Sequence, residues 1–241
     1  MQEKIGKSLF SSVSADLTSV TKDVAEAALD SITKGELLKN VPILNTVHSL
    51  VKAGFDIREH LFINKVLKFL FELKDIPLDK RQNFVQQLEE GEFQKDAGEK
   101  VIAILDKLDD SDKASYVGKL FRATINGKLN FDDFLRLSYI INNAFLEDLR
   151  LLKSSFHADG HVATYYLSEI NVSKLYRVGL ASAAIIPDSA SIARRERHGE
   201  TNKPIDYKTE YKLNNDAYII TRELFDVAWI EKTYNIYNQN N

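Results

Sequence analysis

The segment His157-Ala158-Asp159-Gly160-His161 places two imidazoles and one carboxylate within five residues. Imidazole and carboxylate ligands suit zinc, iron or nickel, so this cluster is the first candidate for a metal site. Two ligands on one helical turn need an i,i+4 spacing, and Gly160 weakens that geometry. The sequence shows no second group of ligands to complete a coordination shell. We therefore interpret the segment as a solvated linker and expect no bound metal.

A second cluster is acidic, and lysines are interleaved with it at Lys107 and Lys113. The aspartates concerned are Asp106, Asp109, Asp110 and Asp112. Neighbouring carboxylates can act as general acid and base when burial separates their pKa values. These carboxylates lie instead at a capping turn between two predicted helices, with lysines beside them. We interpret the cluster as a solvated corner.

Residues 122–134 have the spacing of a calcium-binding loop if Gly127 is aligned with the glycine of its turn. Arg122 then occupies the position of the first coordinating carboxylate, and Asp133 occupies the last. A guanidinium at a ligand position repels the cation, so the segment is better interpreted as a corner between two helices.

The familiar catalytic and nucleotide-binding motifs are missing. The chain has ten glycines, no two of them closer than seven residues, so neither G-x-G-x-x-G nor a P-loop occurs. The nucleophile elbow G-x-S-x-G and the zinc motif H-E-x-x-H are also missing. The absence of cysteine excludes thiolate nucleophiles, zinc ribbons and disulfides. We expect a protein that is not an enzyme and that uses no nucleotide or other cofactor.

Composition describes an ordinary globular protein. The 241 residues are 44% hydrophobic and 28% charged, with a net charge of -3. Such a balance creates no field over the whole chain that would attract nucleic acid or an anionic membrane. Residues 1–20 lack the continuous apolar run of a signal peptide, which together with the lack of cysteine favours the cytoplasm.

Apolar residues recur at helical spacing along most of the first 153 residues. A narrow stripe from Ile5 to Ile32 predicts one amphipathic helix within an N-terminal segment, residues 1–40. An all-helical core domain is predicted for 41–153, with an apolar helix pair at 41–73 as its centre. Four further helices are predicted within it: Leu78–Leu88, Lys95–Leu108, Ser111–Ile125 and Asn130–Lys153. Asn130 with Asp133 has the pattern of a helix N-cap.

The pattern changes after Gly160, and a second domain is predicted for 160–241. Helices are predicted at Val162–Ile170, Asn171–Val178 and Asp216–Phe225, and an amphipathic segment at 227–236. Strands are predicted at Ala181–Ile186 and Tyr207–Leu213, with a polar loop from Pro187 to Asp206 between them. The predicted fold class is therefore mainly α: a multi-helix N-terminal domain followed by a small α+β domain.

The C-terminal order of elements, with Lys174-Leu175-Tyr176-Arg177-Val178-Gly179-Leu180 before the first strand and Tyr211-Lys212-Leu213-Asn214 after the second, resembles a winged helix. In that resemblance the loop from Pro187 to Asp206 is the wing, which in winged helices often touches a DNA backbone. The candidate contact residues are Ser173, Lys174, Tyr176 and Arg177 on the second helix, and Arg194, Arg195 and Arg197 on the wing.

The charge of this domain decides between its possible partners. Residues 160–241 carry ten basic and ten acidic side chains, whereas DNA-binding domains show a clear basic face. We therefore expect a non-enzymatic regulatory or adaptor protein that acts through a protein partner or through self-association, and duplex DNA is the second candidate ligand. The alternative is a peripheral membrane-associated effector that uses the apolar helices within residues 5–73.

Overall fold

The computed structural model describes residues 2–26, 41–54, 59–90, 96–154, 169–199 and 204–225. Within these ranges the chain forms twelve α-helices and one two-stranded antiparallel sheet close to the C-terminus. The predicted class, mainly α with a small α+β region at the C-terminus, is confirmed. The chain divides into two compact units, Met1–Leu146 and Glu147–Asn241.

The described helices of the first unit are α1 (Gln2–Val13), α2 (Lys22–Glu26), α3 (Pro42–Lys52), α4 (Glu59–Phe71), α5 (Leu78–Glu90), α6 (Ala97–Lys107), α7 (Asp112–Ile125) and α8 (Phe131–Asn143). Helix α9 (Leu146–Ser154) begins at the division between the units. The second unit contains α10 (Glu169–Arg177), β1 (Ala181–Pro187), α11 (Ser189–His198), β2 (Tyr207–Leu213) and α12 (Asn215–Phe225). None of the described helices is long and apolar enough to cross a membrane.

An aromatic cluster forms the centre of the first unit, where α4, α7 and α8 pack together. The ring of Phe121 lies 5.3 Å from that of Phe69 and 5.1 Å from that of Phe134, measured between centroids. Phe84 of α5 meets the same ring edge-on at 5.5 Å. Phe69, Phe121 and Phe134 are fully buried. The predicted apolar pair at 41–73 contributes to this core through α4, and α3 buries Ile43, Leu44 and Val47.

Helices α1 and α6 cross where two glycines face each other. A Cβ atom placed on Gly98 would lie 2.7 Å from the carbonyl oxygen of Gly6, which is closer than real Cβ contacts. The absence of side chains at both positions therefore lets the two backbones touch. Ser12 strengthens the neighbouring contact of α1 with α3, since its hydroxyl accepts a hydrogen bond of 2.9 Å from the Ile43 N–H.

The single helix predicted from Ile5 to Ile32 is wrong. Helix α1 ends at Val13, and α2 begins only at Lys22. The apolar stripe is still buried, with Val13, Leu17 and Val20 almost inaccessible to solvent. The chain turns between them because the Asp16 carboxylate accepts the Thr18 N–H at 2.9 Å, which competes with helical hydrogen bonding. Residues 27–32 lie outside the described residues.

Arg81 of α5 holds the end of α1 in place. Its side chain is only 3% exposed, and its Nη1 donates to the carbonyl oxygens of Val13 and Ala15, the second at 2.8 Å. Its Nε donates to the carbonyl of Ile76 at 3.1 Å. The last carbonyls of a helix have no partner within the helix, so a buried guanidinium satisfies them. Burial lowers the pKa of Arg81, but the guanidinium remains charged at neutral pH.

The helix predicted from Asn130 to Lys153 is divided in two. Its start is confirmed, because the Asn130 side chain accepts the Asp133 N–H at 2.7 Å. Helix α8 stops at Asn143, and Ala144 is extended with φ -81° and ψ 147°. Helix α9 then begins with Glu147 and Asp148 in its first turn. Carboxylates favour a helix N-terminus, which explains why a new helix starts there without glycine or proline.

The two strands of the second unit form an antiparallel ribbon, defined here as β1 and β2 together. Ala181 pairs with Leu213 at one end, and Pro187 pairs with Tyr207 at the other. The base of the ribbon is the end at Ala181, where Asn214 follows β2. Its side chain donates to the Gly179 carbonyl at 2.7 Å and accepts the Ala217 N–H at 3.2 Å, so it caps α12.

The loop predicted from Pro187 to Asp206 is wrong for most of its described residues. Residues Ser189–His198 form α11. Asp188 caps this helix by accepting the Ala190 N–H at 3.2 Å, and Gly199 ends it with a left-handed φ of 64°. Such a cap and stop are typical of a helix, so the connection between the strands is helical. Two predicted elements lie outside the described residues: the helix at Val162–Ile170, as far as residue 168, and the segment 227–236.

Candidate functional site

The two cation-binding patterns of the sequence lead to no site among the described residues. His157 and His161 lie outside the described residues. Within those residues, no group of three or more His, Asp or Glu side chains could hold a metal. The calcium-like segment is a corner between α7 and α8, as predicted, and Gly127 makes its turn with a φ of 74°.

The acidic cluster is a solvated corner, as predicted, and it is tied to lysines. The Asp109 carboxylate lies 2.6 Å from the Lys113 ammonium, and their side chains are 65% and 1% exposed, respectively. Lys113 also donates to the Asn142 carbonyl at 3.2 Å, which links the corner to α8. Lys68 of α4 pairs with Asp112 at 2.6 Å. These carboxylates therefore position helices and are not arranged for acid–base chemistry.

The partial burial of Asp109 raises the pKa of its carboxyl, but the hydrogen bond and the charge of Lys113 outweigh that effect and lower it. A carboxyl whose pKa is lower in the folded state stabilises the fold above its ordinary pKa, about 3.9. That stabilisation is lost as the pH falls from about 3.9 through the lowered pKa that Asp109 has in the folded protein. The Asp109–Lys113 pair should thus contribute at neutral pH and disappear in acid.

We expect Asp109→Asn to lower the free energy of unfolding by about 1 kcal/mol at pH 7, as is usual for a partly exposed ion pair. The difference from the wild type should shrink as the pH falls below about 4, because protonation removes the same charge from the wild type. Urea unfolding of the wild type and the variant at several pH values measures this difference and its change with pH. Asp75→Asn, at an exposed position, serves as the control, and a difference that stays constant with pH would contradict the assignment.

The predicted contact residues of the second unit fall into two groups. On α10, Lys174, Tyr176 and Arg177 are exposed and Ser173 is half-buried. On α11, Arg194 and Arg197 are exposed and Arg195 is half-buried. The chain leaves α10 at one end of β1 and enters α11 at the other, and seven strand residues span about 20 Å. The arginines stand on a helix, and the structure does not join the two groups into one site.

Between these two groups lies the feature that the sequence did not single out, the ribbon itself. Residues paired across an antiparallel ribbon share a face, and successive residues alternate between faces. The first face, named here the apolar face, carries Ala181, Ala183, Ile185, Pro187, Tyr207, Thr209, Tyr211 and Leu213. The second face carries Ser182, Ala184, Ile186, Lys208, Glu210 and Lys212. The ribbon is thus apolar on one side and mixed on the other.

The apolar face is packed only at the base of the ribbon. There Ala181 and Leu213 are buried, and the ring of Tyr211 lies 5.3 Å from that of Tyr176 on α10. Towards the other end, Ile185 is 77% exposed and Tyr207 is 63% exposed. Folding usually buries such side chains, and an isolated two-stranded ribbon is only marginally stable in water. The exposed apolar end of the ribbon is therefore a candidate contact surface.

No family model, curated protein or solved structure matches this chain. The ribbon must therefore be interpreted from its own geometry and charge. The alternation Tyr207, Thr209, Tyr211, Leu213 was the available signal for its apolar face. The partner strand Ala-Ser-Ala-Ala-Ile-Ile-Pro shows no alternation, so the sequence of β1 alone could not indicate which side is apolar.

Proposed function

We propose that this chain is a non-enzymatic regulatory or adaptor protein that acts through protein–protein contacts made by the apolar face of its ribbon. The observation that supports this proposal is the exposure of Ile185 and Tyr207 on that face. Tyrosine is enriched among the residues that contribute most to protein interfaces, because it combines a large apolar ring with a hydroxyl group. Burying such side chains against a partner is favourable by about 25 cal/mol per Å² of apolar surface.

The charge of the ribbon and its connecting helix favours a protein over DNA as the partner. Residues 181–213 carry six basic and five acidic side chains. Binding to duplex DNA depends on the neutralisation of several phosphates, which needs a clear excess of positive charge. Lys212 is moreover 2.9 Å from the Glu210 carboxylate, which offsets its charge. Duplex DNA remains the second candidate ligand because Arg194 and Arg197 are exposed on α11.

The membrane alternative relies on the apolar residues of the N-terminal helices. Their burial inside the first unit supports the protein-contact proposal instead. In α1, Leu9 and Val13 are fully buried, and in α3 Ile43 and Leu44 are fully buried. Because these side chains already serve the core, a membrane would have to compete with the fold for them. The proposal places the protein in the cytoplasm, in keeping with a chain that contains no cysteine.

A capture experiment tests the proposal directly. The full chain is immobilised and exposed to an extract of the cells that produce it, beside the double variant Ile185→Asp/Tyr207→Asp. The matched control, Ser182→Asp/Lys208→Asp, adds the same two carboxylates to the second face of the ribbon. We expect the wild type and the control to retain the same proteins, and the apolar-face variant to lose them. Retention that is identical for all three proteins, or absent for all, would contradict the proposal.

The DNA candidate is tested by fluorescence anisotropy with a mixed-sequence duplex at about 50 and about 200 mM salt. If the protein-contact proposal is correct, we expect no salt-dependent binding of the duplex. Binding that weakens at the higher salt, and weakens further in Arg194→Ala/Arg197→Ala, would favour DNA. Flotation with anionic phospholipid vesicles tests the membrane alternative, which requires the full chain to float with the vesicles.

A further inference from the structure

We propose that a second copy of this chain pairs antiparallel with the outer edge of β1 to form a four-stranded sheet. This inference rests on the proposed function, because the four-stranded sheet joins the apolar faces of two copies into the surface that the protein partner contacts. Among the described residues the sheet has only two strands, so each has one edge without a strand beside it. Such an edge presents unpaired N–H and C=O groups, which are a template for another strand.

The two edges of the ribbon differ in how well they are protected. Proteins usually protect an edge with charged side chains, especially lysine, or with proline. The strand β2 carries Lys208, Glu210 and Lys212. The strand β1 carries no charged side chain, and its single proline stands at its last residue, Pro187. Residues 182–185 are all exposed, so β1 is the edge that is open to pairing.

The sequence of β1 is suited to pair with itself. A two-fold axis at Ala184, the middle residue of the strand, places Ala183 opposite Ile185 of the second copy and Ala184 opposite its own equivalent. This register keeps the apolar faces of both copies on the same side of the sheet, because it pairs only residues of the same face. The paired side chains are small or aliphatic, and no like charges meet.

A second copy also closes the sheet, which a foreign strand does not. An unrelated strand would satisfy the edge of β1 and leave its own second edge open. With two copies, both new edges are β2 strands that carry Lys208 and Lys212, so further addition is disfavoured. The result is a closed two-fold dimer in which the same patch serves both copies. The apolar faces, with Tyr207 and Tyr211 from each copy, become one continuous surface.

The dimer should be reversible, because one pair of seven-residue strands makes a small interface, and small interfaces are typical of transient complexes. Sedimentation equilibrium of the full chain over about 1–300 μM brackets the micromolar dissociation constants of such complexes. We expect the average mass to rise from 27.4 kDa towards twice that value with concentration. A mass that stays at 27.4 kDa over the whole range would overturn the inference.

A disulfide test locates the contact, because the chain has no cysteine of its own. At the two-fold axis, the Cα atoms of both copies of residue 184 would lie about 4.5–5.5 Å apart, within the range of a disulfide. With oxidised glutathione as oxidant, Ala184→Cys should form a covalent dimer at least ~10-fold faster than Thr209→Cys, an exposed position on β2. Equal cross-linking of both variants would overturn the inference.

The outcomes separate this inference from the proposed function. A chain that remains monomeric, but still retains proteins through Ile185 and Tyr207, overturns the dimer and leaves the protein-contact proposal supported. A chain that forms dimers cross-linked at residue 184, and that loses its captured proteins in Ile185→Asp/Tyr207→Asp, supports both.

Discussion

Replacing Phe121 with alanine should lower the free energy of unfolding of the first unit by about 3–5 kcal/mol, the usual cost of removing a buried phenylalanine. The Phe121 ring is fully buried, and it contacts three other rings, those of Phe69, Phe84 and Phe134. Its removal leaves a cavity between helices α4, α5, α7 and α8 that they cannot readily close. The free energy of unfolding of Phe121→Leu should lie between those of Phe121→Ala and the wild type, because leucine leaves a smaller cavity.

The control for this substitution is Tyr139→Ala. Tyr139 is an aromatic residue of α8 that is 68% exposed, so its removal should change the free energy of unfolding by about 0.5 kcal/mol or less. Hydrogen exchange of peptides from α7 and α8, followed by mass spectrometry, measures the first unit alone. Similar losses for Phe121→Ala and Tyr139→Ala would contradict the assigned core.

Removing the guanidinium of Arg81 should have the second largest effect. We expect Arg81→Met to lower the free energy of unfolding by about 2–4 kcal/mol, because several buried carbonyl groups lose a charged donor. These are the carbonyls of Val13, Ala15 and Ile76. Arg81→Lys should recover only part of the loss, since one ammonium lacks the fork of donors that reaches both α1 and the residues before α5.

Hydrogen exchange gives the Arg81 prediction a local readout. Amides at the end of α1 and in the turn that follows should exchange faster in Arg81→Met than those of α7, because the lost hydrogen bonds hold that turn. Lys80→Met removes an exposed cation from the same helix and should change little. An equal increase of exchange throughout the unit, with no excess in residues 12–20, would show that Arg81 does not fix this turn.

The helix boundaries that the sequence predicted well are those set by local chemistry. Asn130 caps α8 through the Asp133 N–H, and Asn214 caps α12 through the Ala217 N–H. Gly127 and Gly179 take left-handed φ values where helices were predicted to end. A side chain that bonds to its own neighbours, or a glycine that alone tolerates such a φ, acts within a few residues, so a short stretch of sequence suffices to find it.

The sequence failed where distant residues decide the local structure. The stripe from Ile5 to Ile32 is compatible with one helix, because Leu17 and Val20 are buried in either conformation. Arg81, which stabilises the turn after Val13, is 68 residues away in the chain. Distant residues also create the apolar face of the ribbon, which arises only when Ile185 of β1 is brought beside Thr209 of β2. Periodicity alone does not reveal such pairings.

Helix α11 was missed for a different reason. The polar composition between Pro187 and Asp206 predicted a loop, although Asp188 and Gly199 are a good cap and a good stop. The helix buries only Ser191, whose hydroxyl accepts the Asp206 N–H at 3.2 Å. A helix that is polar on almost every side carries little hydrophobic periodicity, so only its ends could have indicated it.

Site-specific photo-cross-linking at two neighbouring residues is the most direct test of the claim that the ribbon contacts a protein through its apolar face. A benzophenone amino acid is placed at Tyr207 in one variant and at Lys208 in the other, within the intact chain in living cells. These residues are adjacent and both exposed, but they point to opposite faces of the ribbon. We expect a discrete protein adduct from position 207 that is much weaker from position 208. Adducts of equal yield from both positions, or none from either, would contradict the account.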